Sequence, residues 1–407
     1  MAHPTAHPTA HPTALSIIDA VMPDGVTTMV RVEGGVIDRV GGAPEPADDI
    51  LDARGRLLLP AMAEAHAHLD KAFLAETVPN PQGDLMGAIR AMEAHRDRIT
   101  QEDTEARAER AARLILANGA TAIRTHADLT EQNGLMSVRA LLAVRERLRD
   151  VVHIEVIAFC GWPIVGEAGK GQRALLREAI DMGVDGVGGC PHLEGDPHAA
   201  NDFFLSAAAE AGLPVDLHTD ESVDPARFAL PDLVKRVIKS GFPHGVTASH
   251  CVSLGMQPDF VQQAVAELIA GAGISVVTLP SSNLYLQGRD QQVAMPRALT
   301  AIRALRRAGV NLAAGADNLQ DPFNLVGRGD CLETAALMVM AGHLLPDDAY
   351  HSVSTAVRTA MRLPRAGTSV GDVADLVLMP VRSIREAVAL APVERTVLRA
   401  GVVVAGA

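Results

Sequence analysis

Between about Pro60 and Leu363, short apolar runs of β character alternate with longer amphipathic stretches, and the alternation occurs eight times. The runs are Ala61–His66, Thr121–Ala127, Val152–Cys160, Val184–Cys190, Pro214–His218, Gly245–His250, Ile274–Leu279 and Val310–Gly315. Between them, Thr104–Asn118, Ser137–Arg149, Gln172–Met182 and Asp259–Gly271 carry a helical spacing of apolar residues. Gly119, Gly183, Gly212, Gly273 and Gly309 each stand just before a run, where a helix C-cap calls for a residue that tolerates positive φ. Eight β/α units over roughly 300 residues predict an α/β fold of the (β/α)8 TIM-barrel kind. A doubly wound open sheet is the competing arrangement. It is disfavoured because no GxGxxG or GxxxxGK[ST] follows any run.

The chain ends have a different texture. Leu15–Val21, Thr27–Val32 and Val36–Val40 read as short strands separated by Pro23-Asp24-Gly25 and Gly34-Gly35, and Ala374–Pro380 and Thr396–Val404 repeat that style. Both ends together predict one small β-sandwich, from 15–59 plus 365–407, beside a catalytic barrel over 60–364. Ahead of them, Ala2–Thr13 is three copies of Ala-His-Pro-Thr. Proline at every fourth position and the lack of an apolar face predict a disordered tail over 1–14.

Composition narrows the functional classes. Asp and Glu number 49 against 36 Lys and Arg, a net charge of −13 that argues against nucleic acid or an anionic membrane as partner. Aromatic residues are only 3%, too few for a surface that stacks single-stranded bases. No apolar stretch approaches a spanning helix, and the first cationic residue is Arg31, so the charged start of a signal peptide is missing. Cys160, Cys190, Cys251 and Cys331 form no CxxC and read as reduced thiols of a cytoplasmic protein.

In a TIM barrel, functional groups gather at the C-terminal ends of the strands. The first run ends in His66-Ala67-His68-Leu69-Asp70-Lys71, the fifth in His218-Thr219-Asp220-Glu221, the sixth in His250-Cys251, and the eighth leads into Asp317-Asn318. Residues two apart on a strand face the same side, so His66 and His68 can address one ion. With His218 and Asp317 they make three nitrogens and one carboxylate, an open catalytic set that suits one Zn²⁺ or Fe²⁺. Lysine is absent between Lys170 and Lys235, so the fourth run offers none to carboxylate and bridge a second metal. A single divalent ion is therefore expected.

These residues also resemble a family. Pro60-Ala61-Met62-Ala63-Glu64-Ala65-His66-Ala67-His68-Leu69-Asp70-Lys71 is similar to the first-strand motif of the amidohydrolase superfamily, in the cytosine deaminase branch that includes N-isopropylammelide isopropylaminohydrolase. Arg124-Thr125-His126-Ala127-Asp128, Pro191-His192-Leu193-Glu194, Asp216-Leu217-His218-Thr219-Asp220-Glu221, Thr247-Ala248-Ser249-His250 and Gly315-Ala316-Asp317-Asn318-Leu319-Gln320-Asp321-Pro322 extend the likeness from about Leu15 to the C-terminus. The resemblance implies that His66, His68, His218 and Asp317 are metal ligands. It implies that Glu221 is the general acid/base, and that His250 and Asp317 assist at the reaction centre. It further implies a homo-oligomer.

Two departures bear on the substrate. The stretch Phe159-Cys160-Gly161-Trp162 has no amide side chain where cytosine deaminase carries the glutamine that reads the pyrimidine edge, and Asn318 stands where an acid usually follows the last ligand. Lys71, His126, Trp162, His192 and Asn318 are the candidates for substrate contact, with His126 also placed to support the metal ligands from behind. The function expected is a metal-dependent hydrolase that deaminates, or removes a substituted amine from, a small nitrogen heterocycle such as a pyrimidine or s-triazine. Its expected route is attack by a metal-bound hydroxide. Hydrolytic opening of a cyclic amide is the alternative within the same fold, and a non-catalytic ligand-binding barrel the alternative outside enzymes.

Overall fold

The computed structural model describes residues 14–406. The repeat segment expected as a tail over 1–14 lies outside the described residues except for Ala14, and Ala14 is a correction, since it opens the first strand. Strands β1 (Ala14–Val21), β2 (Thr27–Glu33), β3 (Val36–Val40), β4 (Asp49–Asp52) and β5 (Leu57–Pro60) come first. Next are β6 (Met62–Ala67), β7 (Ala120–Leu129), β8 (His153–Cys160), β9 (Gly186–Gly189), β10 (Val215–Thr219), β11 (Val246–His250), β12 (Ser275–Thr278) and β13 (Leu312–Ala314). Finally β14 (Leu376–Met379), β15 (Thr396–Arg399) and β16 (Val402–Ala405) return to the first group.

Strands β6 to β13 pair in parallel, in chain order, with helices between them. This is the eight-stranded barrel. Ladder pairing lapses between β13 and β6, and the seam is drawn together by the bridge between Ala67 and Asp317. Asp317 N donates to His66 O at 2.9 Å and His68 N donates to Asp317 O at 3.2 Å. Glu64 spans the same seam, its Oε1 accepting from His66 N at 3.1 Å and from Ala316 N at 3.0 Å. Gly315 makes room for that carboxylate, because a Cβ there would stand 2.7 Å from Glu64 Oε1.

The second sheet runs β16-β15-β14-β5-β1-β2-β3, with β4 beside β1, so both chain ends build it. Its central strands are apolar on both faces because both are covered. Leu58, Leu376 and Leu378 pack with Ile17, Val30, Val32 and Ile37, whereas the alternate residues Leu57, Leu59, Val377 and Met379 join the barrel's core. One residue, Ala61, separates β5 from β6.

Local rules account for the helices between strands. Thr100 caps the helix Gln101–Ala117 by accepting from Asp103 N, and Glu102 and Asp103 lie in the first turn, where acids favour the dipole. Its Thr104, Ala108, Ala111, Ala112, Ile115 and Leu116 are buried at helical spacing. Gly119, Gly183, Gly212, Gly273 and Gly309 all have positive φ, between 65° and 96°, as the C-cap reading requires.

Candidate active site

His66 and His68 leave the end of β6, His218 lies on β10, His250 ends β11, and Asp317 follows β13. His250 and Asp317 sit at φ 67° and 68°, the left-handed region that His and Asp enter more readily than most residues. All five side chains are buried. His66 Nε2 and His68 Nε2 lie 3.1 and 3.2 Å from His218 Nε2, and Asp317 Oδ1 is 3.7 and 3.3 Å from the same two nitrogens of His66 and His68.

This geometry fits a cation. Burial pushes His66, His68 and His218 below the ordinary histidine range, so at neutral pH each presents an uncharged ring. Three converging imidazole nitrogens cannot satisfy one another by hydrogen bonds, and Asp317 Oδ1 is buried with no hydrogen-bond partner. Burial alone would raise the Asp317 carboxyl, but attraction to the neighbouring imidazoles, that of His68 first, outweighs it and holds it well below the usual carboxylate range. His66, His68 and His218 therefore could hold a divalent ion, with Asp317 beside them.

The partners behind the cluster orient it. Ser249 Oγ donates to Asp216 Oδ1 at 2.7 Å and stands 3.0 Å from His66 Nδ1. The carboxylate has no proton to give, so the serine hydrogen goes to Asp216 and His66 Nδ1–H donates to the serine oxygen. That leaves the His66 Nε2 lone pair facing the cluster. Ser282 Oγ donates to Asp317 Oδ2, which leaves Oδ1 as the free oxygen. His250 Nδ1 donates to Asn283 Oδ1 at 3.0 Å, so His250 Nε2, buried and without a partner, keeps its lone pair.

Glu221 falls two residues past the end of β10, its Oε1 3.7 Å from His250 Nδ1. Burial pushes its carboxyl up to about 7, against the opposing effect of His250. A group with that value can both take and give a proton near neutrality.

Above the cluster is a cavity with about 780 Å³ of empty space, counting its open mouth. His68, His218, Glu221, His250 and Asp317 make its floor, and Lys71, Trp162 and Asn318 are on its walls. Phe159 holds the wall where the amide was missing, its ring centroid 4.2 Å from that of His218. His126 and His192 are corrections, since neither lines this cavity. His126 is fully buried below the floor with its ring 4.0 Å from that of His66, in the supporting position, and it faces Asp216 Oδ1 at 3.7 Å. His192 turns Nδ1 to His218 O at 2.9 Å and borders a separate cleft with Asp220 and Arg227.

Sequence reasoning missed several members of the site. Ser249 was inside a quoted motif, and Ser282 and Asn283 follow the seventh run, the position at which other runs carried functional groups. The helix Leu85–His95 was missed outright, although Leu85, Ile89, Met92 and Glu93, followed by Arg96, recur at helical spacing. That stripe roofs the cavity.

The model of the amidohydrolase family matches residues 82–406. The chain belongs to this family. It is 33% identical to the pterin deaminase of Rhizobium rhizogenes over 92% of its own length and 87% of that protein's. Its structure is similar to that of 5-methylcytosine deaminase from Klebsiella pneumoniae liganded with phosphonocytosine, with a TM-score of 0.86 at 29% identity over 95% and 97% of the two chains. It is also similar to N-isopropylammelide isopropylaminohydrolase from Burkholderia multivorans, with a TM-score of 0.83 at 30% identity over 97% and 98%. As an amidohydrolase of this deaminase branch, the chain is a metal-dependent hydrolase of carbon–nitrogen bonds.

Proposed function

We propose that this amidohydrolase replaces an amino or substituted amino group on a small nitrogen heterocycle with oxygen, releasing the amine. The observation that carries the reading is Glu221, buried and near neutral in its titration, at the edge of three imidazoles whose free nitrogens converge. His66, His68, His218 and Asp317 would hold one divalent ion, zinc or iron, with no lysine on the fourth strand to bridge a second. When bound, that ion supplies Lewis-acid activation of water, whose pKa such ions can bring from 15.7 to about 7.

The chain's own groups do the rest. Glu221 takes a proton from the attacking water at Oε1 and delivers it to a ring nitrogen or the departing amine. The unpartnered Nε2 of His250 and the carboxylate of Asp317, both acceptors, orient that water for attack. Phe159, Trp162 and Phe323 offer flat apolar surface to a planar ring, and Lys71 and Asn318 offer polar contacts. Cytosine is disfavoured, because an aromatic ring stands where an amide would read its edge. A fused pterin-like ring is favoured by the 33% identity to a pterin deaminase across 92% of the chain.

The barrel over 60–364 would be the catalytic unit and 15–59 plus 365–407 its β scaffold. The protein would act in the cytoplasm as a homo-oligomer without nucleic acid. Its four cysteines are buried and free, and among the described residues no helix is long and apolar enough to cross a membrane. The test is release of ammonia or alkylamine across pterins, triazines and pyrimidines, with Glu221→Gln as the control. The expected result is amine release by the wild type. In the variant, metal is retained and turnover falls at least about 100-fold. Ring-opened product without amine, or undiminished turnover by the variant, would defeat the proposal.

A further inference from the structure

The mechanism above leaves Arg96 unused. It sits at the end of the roof helix Leu85–His95, lines the cavity, and has a side chain only 10% exposed. Its guanidinium is fixed from behind. One terminal nitrogen donates to Asn133 Oδ1 at 3.2 Å and the other to Asp128 Oδ2 at 3.1 Å. The second oxygen of Asp128 holds Lys71 Nζ at 2.7 Å. One carboxylate thus sets two cationic donors side by side on one wall.

Apart from Glu93 on the roof and His68, whose Nδ1 lies 2.9 Å from Lys71 Nζ, their surroundings are mostly apolar. Leu85, Ile89 and Met92 come from the roof, and Lys71 Nζ lies 5.5 and 5.6 Å from the ring centroids of Phe159 and Phe323. Arg96 makes no other side-chain hydrogen bond among the described residues. A guanidinium has five N–H donors, and those left over at a mostly dry wall favour an acceptor brought by the ligand. The floor of the cavity, by contrast, carries the carboxylates Glu221 and Asp317. A ligand that suits both is polarised: its amine goes to the carboxylates and an electron-rich edge goes to the cations.

We infer that Arg96 is a specificity residue that reads an oxo group, or its anionic enolate form, on the ring edge away from the leaving amine. This rests on the deaminase reading given above. Lysine would not replace Arg96, because a point charge cannot keep Asn133 and Asp128 while presenting a planar set of donors to the ring.

The experiment measures competition constants and kcat/KM on metal-loaded protein for two matched pairs, pterin with 2-aminopteridine and cytosine with 4-aminopyrimidine. Wild type, Arg96→Met and Arg96→Lys are compared, with metal content and thermal midpoint recorded for each. Arg96→Met is expected to weaken the oxo-bearing member 10- to 100-fold more than its oxo-free partner, with KM rising more than kcat falls. Arg96→Lys is expected to recover only part of that difference, with metal content preserved. Equal losses within each pair would overturn the inference, as would loss of metal in step with activity, which would assign Arg96 to holding Lys71 and His68. Failure of the wild type to bind any of the four compounds, with metal bound, would overturn this inference, whereas the deaminase reading falls only if no pterin, triazine or pyrimidine yields amine.

Discussion

Replacing Ser249 with alanine isolates one link of the supporting network without touching any group that faces the cavity. In the intact chain Asp216 accepts from Arg124 at 3.0 Å and from Ser249 at 2.7 Å, and the serine oxygen then accepts from His66 Nδ1–H at 3.0 Å. Without that hydroxyl nothing fixes which nitrogen of His66 carries the proton, and the ring is free to turn its protonated nitrogen toward His218. Loss of such an outer partner typically weakens metal binding about 10- to 100-fold, or roughly 1.4 to 2.7 kcal/mol. The fold also loses one donor to a buried carboxylate, about 1 to 3 kcal/mol. The assay is titration against a chelator of known affinity, followed by kcat/KM at saturating metal. Weaker metal binding with activity mostly restored at saturation is expected, and Ser249→Thr, which keeps a hydroxyl, should recover most of the loss. Metal affinity within threefold of wild type in the alanine variant would refute the tautomer argument.

Three further outcomes are expected. Glu64→Gln keeps an acceptor for the amides of His66 and Ala316 and should bind metal much as wild type does, whereas Glu64→Ala opens the barrel seam and should lower both metal affinity and thermal midpoint. Arg124→Met strands Asp216 and Glu155 in the interior and should cost about 3 to 5 kcal/mol in denaturant unfolding. Asp48, held below the ordinary carboxylate range by the Ser16 hydroxyl and Arg31, contributes stability that is present above about pH 4 and lost as pH falls through its lowered value. Amide exchange in β1 and β2 should therefore rise on acidification below pH about 4, and Asp48→Asn should flatten that dependence.

Much of the fold could be read from local chemistry. Apolar runs of five to nine residues, five of them preceded by a capping glycine, mark strand and helix ends without reference to anything distant. The five glycines before the runs show it, since each takes the positive φ expected of it. The His-x-His pair was legible for a similar reason, because two residues apart on a strand is a statement about direction. His192 misled because a histidine in a quoted motif says nothing about where its ring nitrogens find partners, and the carbonyl of His218 took one of them.

The order and spacing of residues by themselves determined the eight β/α units, the sheet built from both ends, and the strand termini that carry ionisable groups. Those properties follow from periodicity and capping, which act over a few residues. Only the tertiary structure decided which groups face the cavity and which stand behind it. Ser249, Ser282 and Asn283 gained their roles from hydrogen bonds to partners 33 to 183 residues away. The roof stripe ending in Arg96 became a cavity wall because the barrel mouth lies beneath it. Hydrogen-bond partners and burial are set by closing the barrel, and barrel closure is a property of the whole chain.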